Sequence, residues 1–270
     1  RNIMNIDLNG KTALVTGSTA GIGLAIATGL AKAGAQVTIV GRDQAGVDEA
    51  IKQLQQADGV NDADNIKGIV ADAGTAGGCQ TIINTLPEVD ILVNNLGIYG
   101  ATPFFDIDDN AWEEMFQINV MSGVRLSRHY AKAMKEKGWG RIQFISSESA
   151  LNIPAEMVHY GVTKAAIQGV SRGLAKVLAG SGVTVNSILP GPTRTEGAKA
   201  MMQELADERG VSSEEMEGIF LDENRPSTLI KRFATPEEIA NMSVYIASTQ
   251  ASATTGSALR VEGGIVESIA

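Results

Sequence analysis

Cysteine is nearly missing from this chain of 270 residues. Its one thiol, Cys79, rules out an intramolecular disulfide and fits a reducing compartment, where it reads as an ordinary small residue. With only two histidines beside it, the ligands for a zinc site are too few, and no metal is expected. Basic charge is also in deficit. Lys and Arg number 22 against 31 acids, a net charge of −9 that argues against nonspecific nucleic-acid binding and against an anionic membrane surface. No apolar run approaches the ~20 residues that span a bilayer, and no signal-peptide pattern precedes the first expected strand. Arg1-Asn2-Ile3 before Met4 reads as an expression remnant. Aromatic residues are 4%, so Trp112 and Trp139 are read as packing groups. Repeats and low-complexity tracts are lacking. What remains, 44% hydrophobic and 20% charged residues, is enough for one well-packed α/β domain over residues 4–270 and argues against disorder. A cytoplasmic enzyme is the expectation.

Hydrophobic periodicity alternates between strand and helix. Short apolar runs at 11–16, 35–40, 66–71, 90–93, 141–146 and 183–188 read as buried parallel strands, with an edge strand at 258–262. Between them, helices are expected at 24–33, 43–56, 75–86, 108–136, 157–178 and 236–247. The second carries Val47, Ala50, Ile51 and Leu54 on one face. Thr235 and Pro236 suit an N-cap and first helical position, and the acids 106–109 suit the start of the long helix. Residues 59–65 read as a polar, acidic loop. This alternation demands a doubly wound parallel sheet of about seven strands, Rossmann-like, with helices on both faces and right-handed crossovers. Residues 196–231 exceed what a connection needs and read as a small helical lid, with helices at 196–208 and 212–220.

Two local patterns carry chemistry. Thr16-Gly17-Ser18-Thr19-Ala20-Gly21-Ile22-Gly23 lies between the first strand and its helix. Glycines there let backbone approach a pyrophosphate, and the free N–H groups of the helix start face it. Further on, Tyr160 and Lys164 are four residues apart, so a helix sets phenol and ammonium side by side. A neighbouring cation favours the phenolate.

In order and spacing, these motifs resemble those of the short-chain dehydrogenase/reductase family from about residue 7 to 266. Asp72, Asn94-Asn95-Leu96-Gly97, Asn119, Ser147 thirteen residues before Tyr160, and Pro190-Gly191 before Thr195 complete the series. Leu96 departs from the family's usual Ala there and is expected to tighten the cofactor cleft. The resemblance implies a catalytic set of Asn119, Ser147, Tyr160 and Lys164. Tyr160 would be the general acid in ketone reduction, Lys164 would lower its pKa, and Ser147 would bond the carbonyl oxygen. Asn119 would hold a water in the proton relay. Ser146 and Ser149 are read as turn or capping residues, His159 and His129 as packing or surface groups. The resemblance further implies cofactor contacts at Gly17, Ser18, Thr19, Gly21, Ile22, Gly23, Arg42, Asp72, Ala73, Asn95, Gly97, Tyr160, Lys164, Pro190, Gly191, Thr193 and Thr195.

NADP(H) is expected over NAD(H), because Gly41 replaces the acid that would bond a ribose hydroxyl and leaves room for a 2′-phosphate, to which Arg42 offers a guanidinium. NAD or dual use, through Asp43, is the alternative. Tyr99, Ser147, Ile153, Met157 and Met201 are expected around the substrate, a carbonyl or alcohol on a moderately hydrophobic small molecule. Met201, Met202, Met216, Ile219, Phe220 and Leu221 suit either an apolar wall or the seating of the lid. A second reading is a 3-oxoacyl-carrier-protein reductase, with Arg125, Arg128, Lys132 and Arg172 as a docking patch. A third is a non-catalytic cofactor-sensing regulator. Family analogy implies a homotetramer (or dimer) through the long helix and the Tyr-bearing helix.

Overall fold

A computed structural model describes residues 5–60 and 62–269; the expected start at Met4 and Asn61 of the acidic loop lie outside them. Seven strands form one sheet: β1 (Thr12–Val15), β2 (Gln36–Gly41), β3 (Ile66–Val70), β4 (Ile91–Asn94), β5 (Gly140–Ile145), β6 (Val183–Pro190) and β7 (Ala258–Val261). They lie in the order β3-β2-β1-β4-β5-β6-β7, every neighbouring pair parallel. The helices are α1 (Gly21–Lys32), α2 (Gln44–Gln56), α3 (Ala76–Thr85), α4 (Asp109–Phe116), α5 (Ser122–Lys137), α6 (Val158–Val177), α7 (Glu196–Arg209), α8 (Ser213–Asn224) and α9 (Pro236–Ala247).

Successive strand residues point to opposite faces, and the two cores divide accordingly. Ala13, Val15, Ile91 and Val93 pack with Ile26 and Leu30 of α1, Val47 and Leu54 of α2, and Ile239 and Ile246 of α9. Leu14 and Leu92, one register step away, join Ile82 of α3, Leu126 and Tyr130 of α5, and Ile167 of α6 on the other face. Cys79 sits in this second core, as an ordinary packing residue would. A third, smaller cluster holds the lid together: Met202 and Ala206 of α7, Met216 and Leu221 of α8, and Phe233.

Caps follow the sequence. Asp108 accepts from the Ala111 N–H at 2.8 Å at the start of α4. Thr235 and Glu238 form a capping box behind Pro236, and Ser212 with Glu215 forms another at α8. In the acidic loop, Ala63–Asn65 forms a 3-10 turn. The long helix expected at 108–136 is not continuous. A π-helical turn, Gln117–Met121, separates α4 from α5, and the extra residue in that turn carries Asn119. The lid helix expected at 212–220 runs on to Asn224, which brings Arg225 to its C-cap.

Leu92 is fully buried at the centre of the sheet. Leu92→Ala is expected to destabilise the fold by about 2–5 kcal/mol, read as a lower urea midpoint with an unchanged slope.

Candidate active site

The chain runs β1, β2, β3 toward one edge and then returns to place β4 on the other side of β1. At that reversal the loops leaving β1 and β4 diverge and open a crevice at their C-terminal ends. Hydrogen bonds fix both loops. Thr16 Oγ1 accepts from the N–H groups of Asn95 (3.1 Å) and Leu96 (3.0 Å). The Asn95 side-chain amide donates to the Thr16 and Gly17 carbonyls, both at 2.9 Å.

The glycine turn is cramped on its inner side. Gly17 (φ 59°) and Gly21 (φ 56°) are left-handed, a conformation that favours glycine. A Cβ on Gly23 would lie 2.4 Å from the Gly17 carbonyl oxygen and from Asn95 Nδ2. Leu96 packs on the second core and crowds Gly17, leaving 3.1 Å between its Cα and an added Cβ. It therefore braces the turn from behind and does not line the cavity. Ser18 is buried, donating to the Val15 carbonyl (2.6 Å) and accepting from the Val40 N–H (3.0 Å). Its hydroxyl is thereby engaged in joining β1 to β2.

On the outer side α1 begins at Ala20, which supplies no side-chain cap. The Gly21 N–H instead donates to the carboxylate of Glu196, the first residue of lid helix α7, at 3.1 Å. An anionic group thus already occupies a donor of this helix start, as the chemistry of exposed helix N–H groups favours. The donor set fits a dinucleotide phosphate.

One cavity of about 470 Å³ joins this turn to the opposite wall. Gly21, Ile22, Asn95, Gly97, Ser147, Tyr160, Lys164, Pro190, Gly191, Thr193 and Thr195 line it, with Tyr99, Met157 and Met201 on the substrate side. Ile153 does not; it lies beside Gly161, where an added Cβ would come within 2.6 Å of its Cγ2. Gly17, Ser18, Thr19, Gly23, Arg42, Asp72, Ala73 and Asn119 also lie outside the lining. Asp72 turns its carboxylate onto the Gly74 N–H at 3.0 Å, and Asp43 caps α2 by accepting from Gly46 at 2.8 Å. The room expected at Gly41 is filled: an added Cβ there would meet Thr19 Cγ2 at 2.5 Å and Val47 Cγ2 at 2.9 Å. The even choice over the lid methionines divides. Met201 and Phe220 line the cavity, while Met202, Met216 and Leu221 seat the lid, with Ile219 packed against them.

Ser147 is buried just beyond β5, accepts from the Ser149 N–H at 3.1 Å and is hydrogen-bonded through its hydroxyl to the Tyr160 side chain. Lys164 donates to the Ile145 carbonyl at 3.0 Å, and its Nζ lies 5.6 Å from the Tyr160 ring centre. Asn119 is spoken for: its amide donates to Ile98 O (2.9 Å) and Thr163 Oγ1 (3.0 Å) and accepts from Ile98 N–H (2.7 Å). Ser146 donates to the Lys164 carbonyl at 2.8 Å, a purely internal bond.

Burial, the largest influence, pushes the Tyr160 phenol up to about 12; the Ser147 hydroxyl pulls it down and Glu148 pushes it further up. This reverses the direction expected from Lys164, which burial itself draws down to about 8. Desolvation disfavours the charged form of both groups and outweighs their attraction. His159 packs edge-on against Trp112 behind the cavity, and burial holds it below the ordinary histidine range.

Sequence reasoning missed the charged end of the cavity. Glu148 and Arg225 line it and pair at 3.0 Å. Glu148 follows Ser147 directly and could have been flagged. Arg225, 77 residues further on, gave no local signal.

A switch-point nucleotide crevice facing a Ser-Tyr-Lys cluster defines a Rossmann-type nucleotide-binding oxidoreductase. The short chain dehydrogenase profile matches residues 11–206, and the chain belongs to the short-chain dehydrogenase/reductase family. It is 46% identical to the uncharacterized oxidoreductase YvaG of Bacillus subtilis (strain 168), over 98% of this chain and 100% of that one. It is 33% identical to the 3-oxoacyl-[acyl-carrier-protein] reductase FabG of Aquifex aeolicus (strain VF5), over 97% and 100%. Among solved structures, the L-sorbose reductase of Gluconobacter frateurii, complexed with NADPH and L-sorbose, superposes with a TM-score of 0.91. That match has 33% identity and covers 98% of this chain and 100% of that one.

A dinucleotide phosphate bound at this turn would compete with Glu196 for the Gly21 N–H. Glu196→Gln is therefore expected to tighten NADPH binding about two- to fivefold at low salt, measured by fluorescence titration without substrate. Unchanged or weaker binding would show that the contact is incidental.

Proposed function

We propose that this enzyme is an NADP(H)-dependent reductase of small-molecule ketones, with Tyr160 as general acid and as base in the reverse direction. The observation that carries this reading is the shared cavity, which sets Ser147, Tyr160 and Lys164 across from the glycine turn of α1. When bound, the nicotinamide supplies the hydride. Gly21 and Ile22 would hold the pyrophosphate; Asn95, Gly97, Pro190, Gly191, Thr193 and Thr195 would hold the nicotinamide half, with Asp72 and Ala73 at the adenine. Ser147, hydrogen-bonded to Tyr160 before substrate arrives, would turn its proton to the carbonyl oxygen and stabilise the charge that develops there. Tyr160 then transfers its phenolic proton to that oxygen. A phenol held near 12 is fully protonated at neutrality, which suits the acid role. Lys164, charged below about 8, balances the phenolate left behind. Asn119 holds the 98 strand-end loop against Thr163, and any relay water would meet it at Oδ1.

NADP(H) over NAD(H) rests on Arg42. It is exposed, forms no ion pair among the described residues, and follows β2 directly. Asp43, the group that would favour NAD, is committed to capping α2. The carrier-protein reading gains little support, because Arg125 is tied to Gln117 and Gly74 and Arg172 to Gly256. A groove of about 390 Å³ between α5 and α6, lined by Val124, Ala131, Val170, Leu174 and Val177, supports assembly of copies through these helices as a homotetramer.

Tyr160→Phe is expected to reduce turnover of a ketone panel by at least about 10²-fold while NADPH affinity by fluorescence stays within about twofold. Retained turnover would remove Tyr160 from the acid role. Arg42→Ala is expected to raise the KM for NADPH about tenfold or more and leave that for NADH nearly unchanged; equal effects on both cofactors would reject the 2′-phosphate assignment.

A further inference from the structure

The cavity has a polar end that the reductase reading does not use. Arg225, at the C-cap of α8, reaches in from the lid with its side chain 11% exposed. Its Nε donates to Glu148 Oε1 at 3.0 Å, and Nη1 donates to the Asn224 carbonyl at 2.7 Å and lies 3.6 Å from Glu156 Oε1. A guanidinium carries five N–H donors, and those on Nη2 have no acceptor among the described residues. Glu148 is almost wholly buried, and its Oε2 likewise has no donor among them. Buried polar groups are ordinarily hydrogen-bonded, and an unmatched one calls for an explanation. Here the unmatched buried atom is Glu148 Oε2, and beside it on the same ion pair Arg225 Nη2 is open to the cavity that holds Ser147 and Tyr160.

Charge narrows what completes them. Two carboxylates, Glu148 and Glu156, bracket one guanidinium, so the cluster is formally negative and an anionic substrate group would be repelled. A purely alkyl group would leave both atoms unmatched at a desolvation cost. A hydroxyl is neutral and both accepts and donates, so it suits Nη2 and Oε2 together.

Resting on the reductase reading above, we propose that Arg225 and Glu148 form a hydroxyl-recognition subsite and that the substrate is a neutral hydroxylated ketone. Ser147 and Tyr160 engage the carbonyl while a hydroxyl further along the chain engages the lid-borne Arg225 and its partner. Specificity is then delivered by the lid, because Arg225 lies at the C-cap of α8, which packs through Met216 and Leu221.

The test compares hydroxyacetone and erythrulose with alkyl methyl ketones of equal heavy-atom count, and with pyruvate, at saturating NADPH. The hydroxylated ketones are expected to show kcat/KM at least about tenfold higher than their alkyl counterparts. Arg225→Lys, which keeps a cation between the two acids but loses the forked donors, is expected to bring that ratio toward unity, chiefly through KM. Glu148→Gln provides a second reading of the ratio, with thermal melts confirming that each variant is folded. Wild-type preference for alkyl ketones or pyruvate would overturn the subsite, as would an unaltered ratio in folded Arg225→Lys. If no ketone oxidises NADPH, the reductase reading itself falls; if ketones are reduced without hydroxyl preference, only the subsite does.

Discussion

The tie between Asn95 and the Thr16–Gly17 backbone is the constraint on which the site depends. Parallel strands leave their loops on one edge of the sheet, and those loops diverge only where strand order reverses. Left to itself, that gap would expose unpaired backbone carbonyls and let the glycine turn drift. The Asn95 amide bonds both carbonyls, Thr16 returns two acceptor contacts to the β4 loop, and Gly23 packs too closely for a Cβ. The start of α1 is thereby held open toward the cavity. A space of about 470 Å³ would be costly in a close-packed core; here hydrogen-bonded loops rim it.

Electrostatics at the two cavity ends differ in kind. At the glycine turn, backbone donors await an anion, and the lid's own Glu196 stands in. At the far end, side-chain charges are already paired, and only a neutral polar group can add to them without a penalty. Both ends involve the lid: α7 begins with Glu196 and α8 ends at Arg225. On the readings proposed above, a single element would meet both the cofactor phosphate and the group beside the carbonyl. Its seating depends on the methionine-rich cluster around Phe233, whose flexible side chains adapt to small shifts.

Much of this was legible from local pattern. The parallel sheet with helices on both faces follows from alternating strand and helix patterns, whereas its order β3-β2-β1-β4-β5-β6-β7 does not; the glycine turn, Ser147, Tyr160 and Lys164 could be singled out because each lies in a contiguous or fixed-spacing motif. What was not legible is non-local. Whether Gly41 opens space depends on where Thr19, 22 residues earlier, puts its methyl group. Ile153, expected beside the substrate by family analogy, packs on Gly161 instead and lies outside the cavity lining. The break at 117–121 is invisible in periodicity, because a single-residue π insertion rotates the apolar stripe without removing it. Arg225 and Glu148 meet only because the end of α8 is brought to the turn that follows β5, and an apolar pocket was the natural expectation without that contact.

The same distinction explains why Tyr160 and Lys164 do not behave as the isolated pair suggests. On a solvated helix an ammonium four residues away lowers a phenol's pKa, because both charges remain hydrated. Here Lys164 is turned onto the Ile145 carbonyl, and both groups have lost water. The neutral phenol, at about 12, and a lysine titrating near 8 are then the favoured forms of two groups that each resist ionising in a dry wall. On the reading proposed above, Tyr160 would release its proton only as negative charge appears on the substrate oxygen, a charge Ser147 would share. The proton would then be held until the reaction creates its acceptor, and the ammonium's value would lie in compensating the phenolate afterwards rather than in forming it beforehand.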